Sequence, residues 1–187
     1  FIASVAAYNT NFPLPPDGKT PDDTIGESDE PFMSVESHPY AQAKFIANQT
    51  VEKFIKEHPN AHFEITTVSP VGVMGKSLSN REDSVSSGLQ FLFKNKIAPN
   101  PFVQMLFDTD AEMALVDVKD VADGIYKASD KKGLHGKNYL LTSESWKVSD
   151  ISAMLNGEKP AHQAKIVYKN DLAKQDLGMD FNLVVIP

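Results

Sequence analysis

The sequence has no cysteine among its 187 residues. Disulfide bonds, thiolate metal sites and cysteine nucleophiles are therefore excluded, and a reducing cytoplasm is the compartment we expect. No apolar run approaches the roughly 20 residues that a membrane-spanning helix needs. The 18 lysines and arginines form no cluster, and the 25 acidic residues bring the net charge to −7. This balance argues against nucleic acid and anionic membranes as partners.

Several short motifs are also missing. A Gly-x-Ser-x-Gly nucleophile elbow is absent, which excludes the usual α/β-hydrolase arrangement. Residues 75–77 resemble the end of a phosphate-binding Walker A loop, but Pro70 stands where that motif needs its first glycine. His58 and His62 are four residues apart, yet Pro59 and Asn60 between them predict a turn and argue against a metal site.

The stretch from Tyr40 to Lys44 places a phenol and an ammonium one helical turn apart. Pro39 suits the first turn of a helix. Residues of the type that a helix buries follow at helical spacing: Ala41, Phe45, Asn48, Val51 and Ile55. Residues four apart share a helix face, and a nearby cation favours loss of the phenol proton. Tyr40 is therefore a candidate general acid for a carbonyl, with a solvated helix pair as the alternative.

Two stretches on either side of this helix predict buried strands. Residues 1–9 form an apolar run that ends in small and polar residues, with Ser4 at the carboxyl end of the strand. Residues 63–75 predict a second strand that runs into a turn of proline and glycine. Strand, helix and strand in this order form a parallel-sheet unit, and ligands bind at the carboxyl edge of such sheets. Ser4 is therefore a candidate ligand contact, or else a strand-end serine that hydrogen-bonds to the backbone.

Other segments complete the expected architecture. Residues 9–39 are rich in proline, aspartate, serine and glycine and predict a long loop, which in a compact domain is usually functional or mobile. Asp83 or Ser84 is a candidate helix cap, and Asp117 is another. We interpret Asp117 and Asp120 as capping and structural residues rather than catalytic acids. The apolar stripe predicted after Asp117 consists of Val118, Val121, Ala122, Ile125 and Tyr126.

In this order, the residues resemble the extended short-chain dehydrogenase/reductase family, which also covers NAD-dependent sugar-nucleotide epimerases and dehydratases. The closest likeness is to its dihydroflavonol reductase and hydroxysteroid dehydrogenase branch. Ser4 matches the last serine of that branch's strand-end Thr-Ser-Ser, and Tyr40 and Lys44 match the family's dyad. Residues 70–73 match the proline-containing turn beside the nicotinamide, and residues 114–122 match a later segment of valine, aspartate, valine and alanine.

The resemblance covers about residues 1–157 and implies an α/β fold. We expect one domain over residues 1–187, the C-terminal part of a Rossmann-type doubly wound parallel sheet. A small α/β substrate lobe would come mainly from about 76–112 and 143–187. The family begins with a glycine-rich turn that holds the cofactor pyrophosphate, and the ten scattered glycines of this sequence form no such turn. We therefore expect the chain to be the C-terminal part of a longer enzyme, with cofactor affinity as the property most affected.

The activity that the resemblance implies is that of a carbonyl reductase or alcohol dehydrogenase that uses NAD or NADP. Hydride would pass from the nicotinamide to a carbonyl carbon while Tyr40 protonates the oxygen and Ser4 orients it. Lys44 would favour loss of the Tyr40 proton and hold the nicotinamide ribose. Asn9 lies where this branch often keeps a substrate-facing polar residue, although a turn-forming asparagine fits equally well. The expected cofactor contacts are Tyr40, Lys44, Pro70, Val71, Gly72 and Val73.

Two alternatives stay open. A sugar-nucleotide epimerase or dehydratase would use the same dyad, but Ser69 stands where an arginine is common among the epimerases. A non-catalytic binding or regulatory module is the alternative of another class, and the absent glycine turn motivates it. The expected partner of the enzyme is a small carbonyl or alcohol, with a homo-oligomer left open.

Overall fold

The computed structural model describes residues 1–76 and 84–184. Its helices are α1 (Pro39–Glu57), α2 (Val85–Asn95), α3 (Pro101–Asp108), α4 (Val118–Asp130), α5 (Val148–Leu155) and α6 (Asp171–Leu177). Its strands are β1 (Thr67–Pro70), β2 (Gly72–Met74), β3 (Glu112–Asp117), β4 (Asn138–Leu141) and β5 (Glu144–Lys147). Asp83, a candidate cap, and Ser77, in the Walker-like stretch, lie outside the described residues. Within the described ranges, no helix is long and apolar enough to span a bilayer.

Residues 1–3 pair with β1 through a single parallel bridge between Ile2 and Val68, and we call this short segment the edge strand. The N–H of Ala3 donates to the carbonyl oxygen of Val68 at 2.9 Å. The N–H of Val68 donates to the carbonyl oxygen of Phe1 at 3.0 Å. On its other side, β1 pairs in parallel with β4. The helix α1 connects the edge strand to β1, so the predicted order of strand, helix and parallel strand is confirmed.

The first strand is shorter than the sequence predicts. Pairing ends at Ala3, and Val5–Ala7 form a turn of 3₁₀ helix instead of continuing the strand. Ser4 is extended, with φ −165° and ψ 161°, and its Oγ accepts a hydrogen bond from the N–H of Ala6 at 3.3 Å. A serine hydroxyl that takes up a free N–H stabilises the start of such a turn. The apolar composition of this run is compatible with strand and turn alike, so it did not reveal the turn.

The predicted turn at residues 70–73 is instead a strand that changes partners. The chain pairs with β4 up to Pro70, and from Gly72 it pairs in parallel with β3. Between them, the N–H of Val71 donates to the carbonyl oxygen of Leu141 at 3.2 Å. The sharp turn comes later, at Gly75, whose φ of 126° favours glycine. The sheet of β2 and β3 is completed by β5, which lies antiparallel to β3.

Two buried cores lie on either side of this change of partners. The first core packs the 3₁₀ turn, β1 and β4 together, with Tyr139 and Leu141 fully buried. The second core packs β3 with α2, α3 and α5, with Phe93 and Leu115 fully buried. C-terminal residues such as Tyr168 belong to the first core. Residues 143–187 of the expected substrate lobe are thus divided between the two cores, and the lobe stays a prediction.

The helix α4 begins as predicted, but its buried face differs from the predicted stripe. The carboxylate of Asp117 accepts the N–H of Lys119 at 2.7 Å, which makes Asp117 the helix cap. Val121 and Ile125 pack against the first core. Tyr126 is 66% exposed, so the apolar stripe is narrower than expected. The amphipathic body of a tyrosine suits either face, and the spacing alone could not separate the two.

Candidate active site

Tyr40 and Lys44 lie at the start of α1, on the face that their spacing predicts. The helix begins at Pro39, and Nδ1 of His38 accepts the N–H of Tyr40 at 3.2 Å. The ammonium of Lys44 lies 5.9 Å from the centroid of the Tyr40 ring, which is within range of a cation–π contact. Tyr40 is 60% exposed, so its phenol is accessible to a ligand.

The positive charge of Lys44 has no carboxylate partner in the described part of the chain. Its side chain is half-buried, whereas Lys53 on the same helix forms an ion pair with Glu57. A partly desolvated cation without an anion attracts hydroxyl or anionic groups of a ligand. The positive charge of Lys44 therefore makes the start of α1 suitable for binding a polar or anionic ligand.

Ser4 lies directly before the turn against which α1 packs. It follows Ala3 at the carboxyl end of the strand, and α1 packs directly on the Val5–Ala7 turn that comes next. The Oγ of Ser4 is half-buried and accepts the N–H of Ala6, which leaves the hydroxyl hydrogen for a further acceptor. The structure thus brings together the two elements that hold Ser4 and the tyrosine and lysine pair.

The loop of residues 9–39 is fastened to α1 by a residue that sequence reasoning missed. Nε2 of Gln42 donates to the carbonyl oxygens of Val35 at 3.0 Å and Ser37 at 2.6 Å. Oγ of Ser37 in turn lies 2.9 Å from Oγ1 of Thr10. Gln42 stands between Tyr40 and Lys44 in the sequence. Its long amide side chain was the one feature there that could have indicated a hydrogen bond to the loop. The loop is therefore held in a fixed relation to the helix.

Asn9 is fully buried, and its side-chain amide is used within the protein. Its Nδ2 donates to the carbonyl oxygen of Leu14 at 2.8 Å and to the hydroxyl of Tyr168 at 2.9 Å. Its Oδ1 accepts the N–H of Asn11 at 2.9 Å. Burial raises the pKa of the Tyr168 hydroxyl, which keeps this hydrogen-bond partner protonated. These contacts correspond to the turn-forming alternative, and we propose no substrate contact for Asn9.

The four expected cofactor contacts lie where the strand changes partners. Val71 is buried, and Pro70, Gly72 and Val73 are half-buried. A Cβ on Gly72 would lie 2.9 Å from the carbonyl oxygen of Ala114, so strand packing alone requires a glycine there. A role of these residues in cofactor binding stays a prediction.

The histidine pair has a local structural explanation. His58 ends α1, and its ring stacks on Phe54 with the centroids 4.2 Å apart. The predicted turn follows at Pro59 and Asn60. Within residues 1–76 and 84–184, no group of three His, Asp or Glu side chains is placed to hold a metal ion.

Two cavities lie apart from the tyrosine and lysine pair. One of about 850 Å³ lies beside the edge strand, next to Ile2, Phe63 and Ile125. The other, of about 310 Å³, lies between Leu14 and Glu112. Neither is lined by Ser4, Tyr40 or Lys44. The candidate active site therefore coincides with neither of these two cavities.

Solved structures of low sequence identity share this fold. Yeast methylglyoxal/isovaleraldehyde reductase Gre2, complexed with NADPH, matches with a TM-score of 0.73 and 21% identity, over 99% of this chain and 60% of that chain. Gre2 from Candida albicans matches with a TM-score of 0.70 and 19% identity, over 98% and 60%. MoeE5 in complex with UDP-glucuronic acid and NAD matches with a TM-score of 0.66 and 16% identity, over 99% and 60%.

These comparisons show the fold and the family. The chain spans about 60% of the length of these structures, and the likeness confirms the predicted Rossmann-type α/β fold with its parallel sheet. Among curated proteins, none matches the chain. The sequence model of the NAD dependent epimerase/dehydratase family matches residues 2–141, a range that includes Ser4, Tyr40 and Lys44. The chain therefore belongs to the NAD dependent epimerase/dehydratase family.

Proposed function

We propose that this chain contains the catalytic residues of an NAD(P)-dependent oxidoreductase, which reduces an aldehyde or ketone to an alcohol or runs the reverse reaction. The observation that carries the proposal is that α1, which holds the Tyr40 ring and the Lys44 ammonium 5.9 Å apart, packs against the turn that follows Ser4. The family match and the NADPH and NAD complexes of the similar structures support a nicotinamide cofactor.

Each of the three side chains would have one role at the reacting oxygen. The exposed Tyr40 hydroxyl would donate its proton to the carbonyl oxygen during reduction. The free hydroxyl hydrogen of Ser4 would hydrogen-bond to the same oxygen and orient it. The Lys44 ammonium would stabilise the negative charge that develops on the Tyr40 oxygen as its proton leaves, and it would hold the ribose hydroxyls of the cofactor. When bound, the nicotinamide would supply the hydride for reduction or take it up in oxidation.

The residues present fit the nicotinamide end of the cofactor only. The hydroxyls of Tyr40 and Ser4 and the ammonium of Lys44 are groups that a ribose and a carbonyl oxygen can bind. The pyrophosphate of such cofactors binds at a glycine-rich turn that opens a helix, and the 187 residues contain no such turn. We therefore propose nicotinamide contacts for Pro70, Val71, Gly72 and Val73 and assign no residue to the pyrophosphate.

The substrate class and the branch of the family can be proposed from the packing, the similar structures and the motif residues. We propose that the second core, around α2, α3 and α5, forms the substrate lobe for a small carbonyl compound or alcohol. The yeast Gre2 structure is that of a reductase of methylglyoxal and isovaleraldehyde, which supports this substrate class. The resemblance of Ser4, Tyr40 and Lys44 supports the dihydroflavonol reductase branch, and the absence of cysteine fits a cytoplasmic enzyme.

An epimerase or dehydratase acting on a sugar nucleotide is the second candidate. The likeness to MoeE5 in complex with UDP-glucuronic acid favours it. Ser69, at the position where epimerases often carry an arginine, is fully buried, and its hydroxyl donates to Asn138. A buried, engaged serine gives a sugar diphosphate no cation to bind, which supports the reductase instead.

The test of the proposed function is the loss of the Tyr40 hydroxyl in the full-length enzyme. We expect Tyr40→Phe to lower turnover of small aldehydes and ketones at least about 100-fold, because only the proton donor is removed. Cofactor affinity, measured by fluorescence titration with NADH and NADPH, should stay nearly unchanged. Tyr126→Phe is the matched control, since Tyr126 is 66% exposed on α4, far along the chain from the dyad. Unchanged turnover of Tyr40→Phe would refute the assignment.

Lys44→Ala separates the reductase from a non-catalytic binding module. We expect it to lower both turnover and cofactor affinity, because one cation serves the phenol and the ribose. Lys53→Ala on the same helix, where the charge is paired with Glu57 on an exposed surface, should change neither. If Lys44→Ala shifted only the melting temperature, the two residues would be an ordinary helix pair.

A further inference from the structure

Four hydrogen-bonded polar side chains connect α1 with two strands. Oγ of Ser69 donates to Oδ1 of Asn138 at 2.9 Å, and Nδ2 of Asn138 lies 3.3 Å from Oδ1 of Asn48. Nδ2 of Asn48 then donates to a carboxylate oxygen of Glu52 at 2.8 Å. We call these four residues the polar chain. Ser69 is 0% exposed and Asn48 is 1% exposed, whereas Asn138 and Glu52 are half-buried.

The polar chain has a fixed direction because it ends on an anion. The carboxylate of Glu52 can only accept, so the NH₂ group of Asn48 must face it. The carbonyl oxygen of Asn48 is then left to accept from Asn138, and the oxygen of Asn138 accepts from Ser69. A network in which every donor faces an acceptor, as it does for the two central asparagines, holds its elements in a single arrangement.

The polar chain connects the elements that would hold the proton donor and the cofactor. Asn48 follows Lys44 by one turn of α1 and Tyr40 by two. At the other end, Ser69 lies on β1, directly before Pro70. The asparagine between them, Asn138, lies at the start of β4. The rotation of α1 about its axis is thus fixed against the strand that leads into the proposed nicotinamide contacts.

We propose that Asn48 is a positioning residue that holds Tyr40 and Lys44 at the correct distance from the cofactor, an inference that rests on the proposed function. An apolar side chain would satisfy the burial of this position without fixing the helix rotation. Misplacement of a reacting group by about 1 Å can cost about 100-fold in rate. Asn48 touches neither substrate nor cofactor, and it acts through the two residues one and two turns before it.

The fixed direction of the hydrogen bonds can be tested by exchanging the amide and the carboxylate between positions 48 and 52. Asn48→Asp removes the donor and places two carboxylates face to face. When Asn48→Asp is combined with Glu52→Gln, the new amide at position 52 can donate to the new carboxylate at position 48, and the net charge of the pair is preserved. In the full-length enzyme, we expect Asn48→Asp and Asn48→Leu to lower kcat about 10-fold to 100-fold with cofactor affinity unchanged. The double variant should recover most of the loss in kcat.

A stability control separates positioning from a general loss of structure. Ile55→Ala removes a side chain of the same helix that packs near Gly136 and does not belong to the polar chain. All variants are assayed at a temperature at which circular dichroism shows them folded. Should Asn48→Leu fail to fold, Ser69→Ala breaks the polar chain at its far end and should lower kcat in the same way.

A spectroscopic readout makes the test independent of activity. In the 187-residue chain, ring signals of Tyr40 in NMR spectra should shift in Asn48→Leu and return in the double variant, and they should not shift in Ile55→Ala. A kcat of Asn48→Leu equal to that of Ile55→Ala, or a double variant without recovery, would overturn the positioning role. Either result leaves the proposed function standing, because that function fails only if Tyr40→Phe is fully active.

Discussion

Gly72 and Gly88 are the same amino acid in two different environments. A Cβ on Gly72 would lie 2.9 Å from the backbone oxygen of Ala114 and 2.8 Å from the end of Met113. The side chain of Met113 can move, but the backbone oxygen belongs to β3 and cannot move without disturbing strand pairing. A Cβ on Gly88, in the first turn of α2, would meet no atom of the described residues within 4 Å. The first glycine is required by packing, and the second is not.

Alanine at these two positions should therefore change stability in opposite directions. We expect Gly72→Ala to lower the free energy of unfolding by about 1–3 kcal/mol, because the added methyl overpacks the contact of β2 with β3. Gly88→Ala should raise it by about 0.5–1 kcal/mol, because alanine is the better helix former. Urea denaturation of the 187-residue chain measures both. A stable Gly72→Ala whose only defect was weak cofactor binding in the full-length enzyme would show that the glycine is there for the cofactor.

Asp120 shows how far residue-level prediction from the sequence can go. Its structural role was predicted, and its buried carboxylate indeed accepts the backbone N–H of Asn182 at 2.8 Å and its Nδ2 at 2.6 Å. The partner could not be predicted, because it lies 62 residues away. The same limit applies to Gln42 and Asn48, whose partners depend on how the loop and the strands fold around α1. Cap residues such as Asp117 bond to their neighbours in sequence, and so their roles are visible in the sequence.

Among the elements, the loop of residues 9–39 covers the free edge of β4. Glu27, half-buried in this loop, accepts the N–H of Leu140 at 3.3 Å, which β1 does not use. Burial raises the pKa of the Glu27 carboxyl above its ordinary value of 4.5, while the hydrogen bonds from Leu140 and Leu172 oppose the rise. The loop thus blocks a strand edge with a carboxyl group that releases its proton at a higher pH in the folded protein than in the unfolded chain.

This raised pKa predicts a pH dependence of stability with a definite sign. The folded protein retains the Glu27 proton over a pH range in which the unfolded chain has released it. The contribution of Glu27 to stability is therefore fully present below about pH 4.5 and is lost as the pH rises through the folded-state pKa. Relative to Glu27→Gln, which cannot ionise, the wild-type chain should lose stability as the pH rises from 4.5.

Urea denaturation of both chains over a series of pH values measures this difference. Glu30→Gln is the matched control, because Glu30 lies in the same loop with its side chain exposed. A difference between wild type and Glu27→Gln that does not change with pH would contradict the buried environment of this carboxyl.

Elements with a local signal were predicted, and those defined by packing were not. Pro39 and the spacing that follows it predicted α1, and the family resemblance covered β4. The short helix α3 begins with Pro101 and a cap by Asn100, but its eight residues are too few for a periodic pattern to stand out. The change of partners at Val71 was not visible in the sequence, because residues 63–75 were predicted as a single strand and turn. Which strands pair is decided by the whole sheet.

At the scale of the whole molecule, the edge strand of residues 1–3 is the most exposed part of the sheet. Phe1 is 45% exposed and Ile2 is 52% exposed, and Phe63 beside them is 58% exposed. The N–H of Ala3 and the oxygen of Phe1 bond to β1, so the backbone groups of Ile2 point away from it. An unpaired strand edge with apolar side chains is a template for pairing with another chain.

We therefore expect the 187-residue chain to associate with itself through this edge. Light scattering coupled to size-exclusion chromatography should show a mass that rises with protein concentration. Ile2→Lys should shift the distribution toward the monomer, because a charge at an edge strand opposes pairing. Val85→Lys is the control, since Val85 is 79% exposed on α2 and lies outside the edge. A monomer at all concentrations would show that the edge is blocked by other means.

The two cores are joined by two strand connections that lie side by side. One runs from β1 to β2 through Val71, and the other runs from β4 to β5 past Ser143. The N–H of Val71 bonds to Leu141, and the N–H of Ser143 bonds to Leu115 at 2.8 Å, so each connection is also tied to its neighbour. Two connections, each hydrogen-bonded to a neighbouring strand, oppose a swing of one core against the other. We therefore expect any closing over a substrate to come from surface loops that move over the two cores, and not from a hinge rotation of one core toward the other.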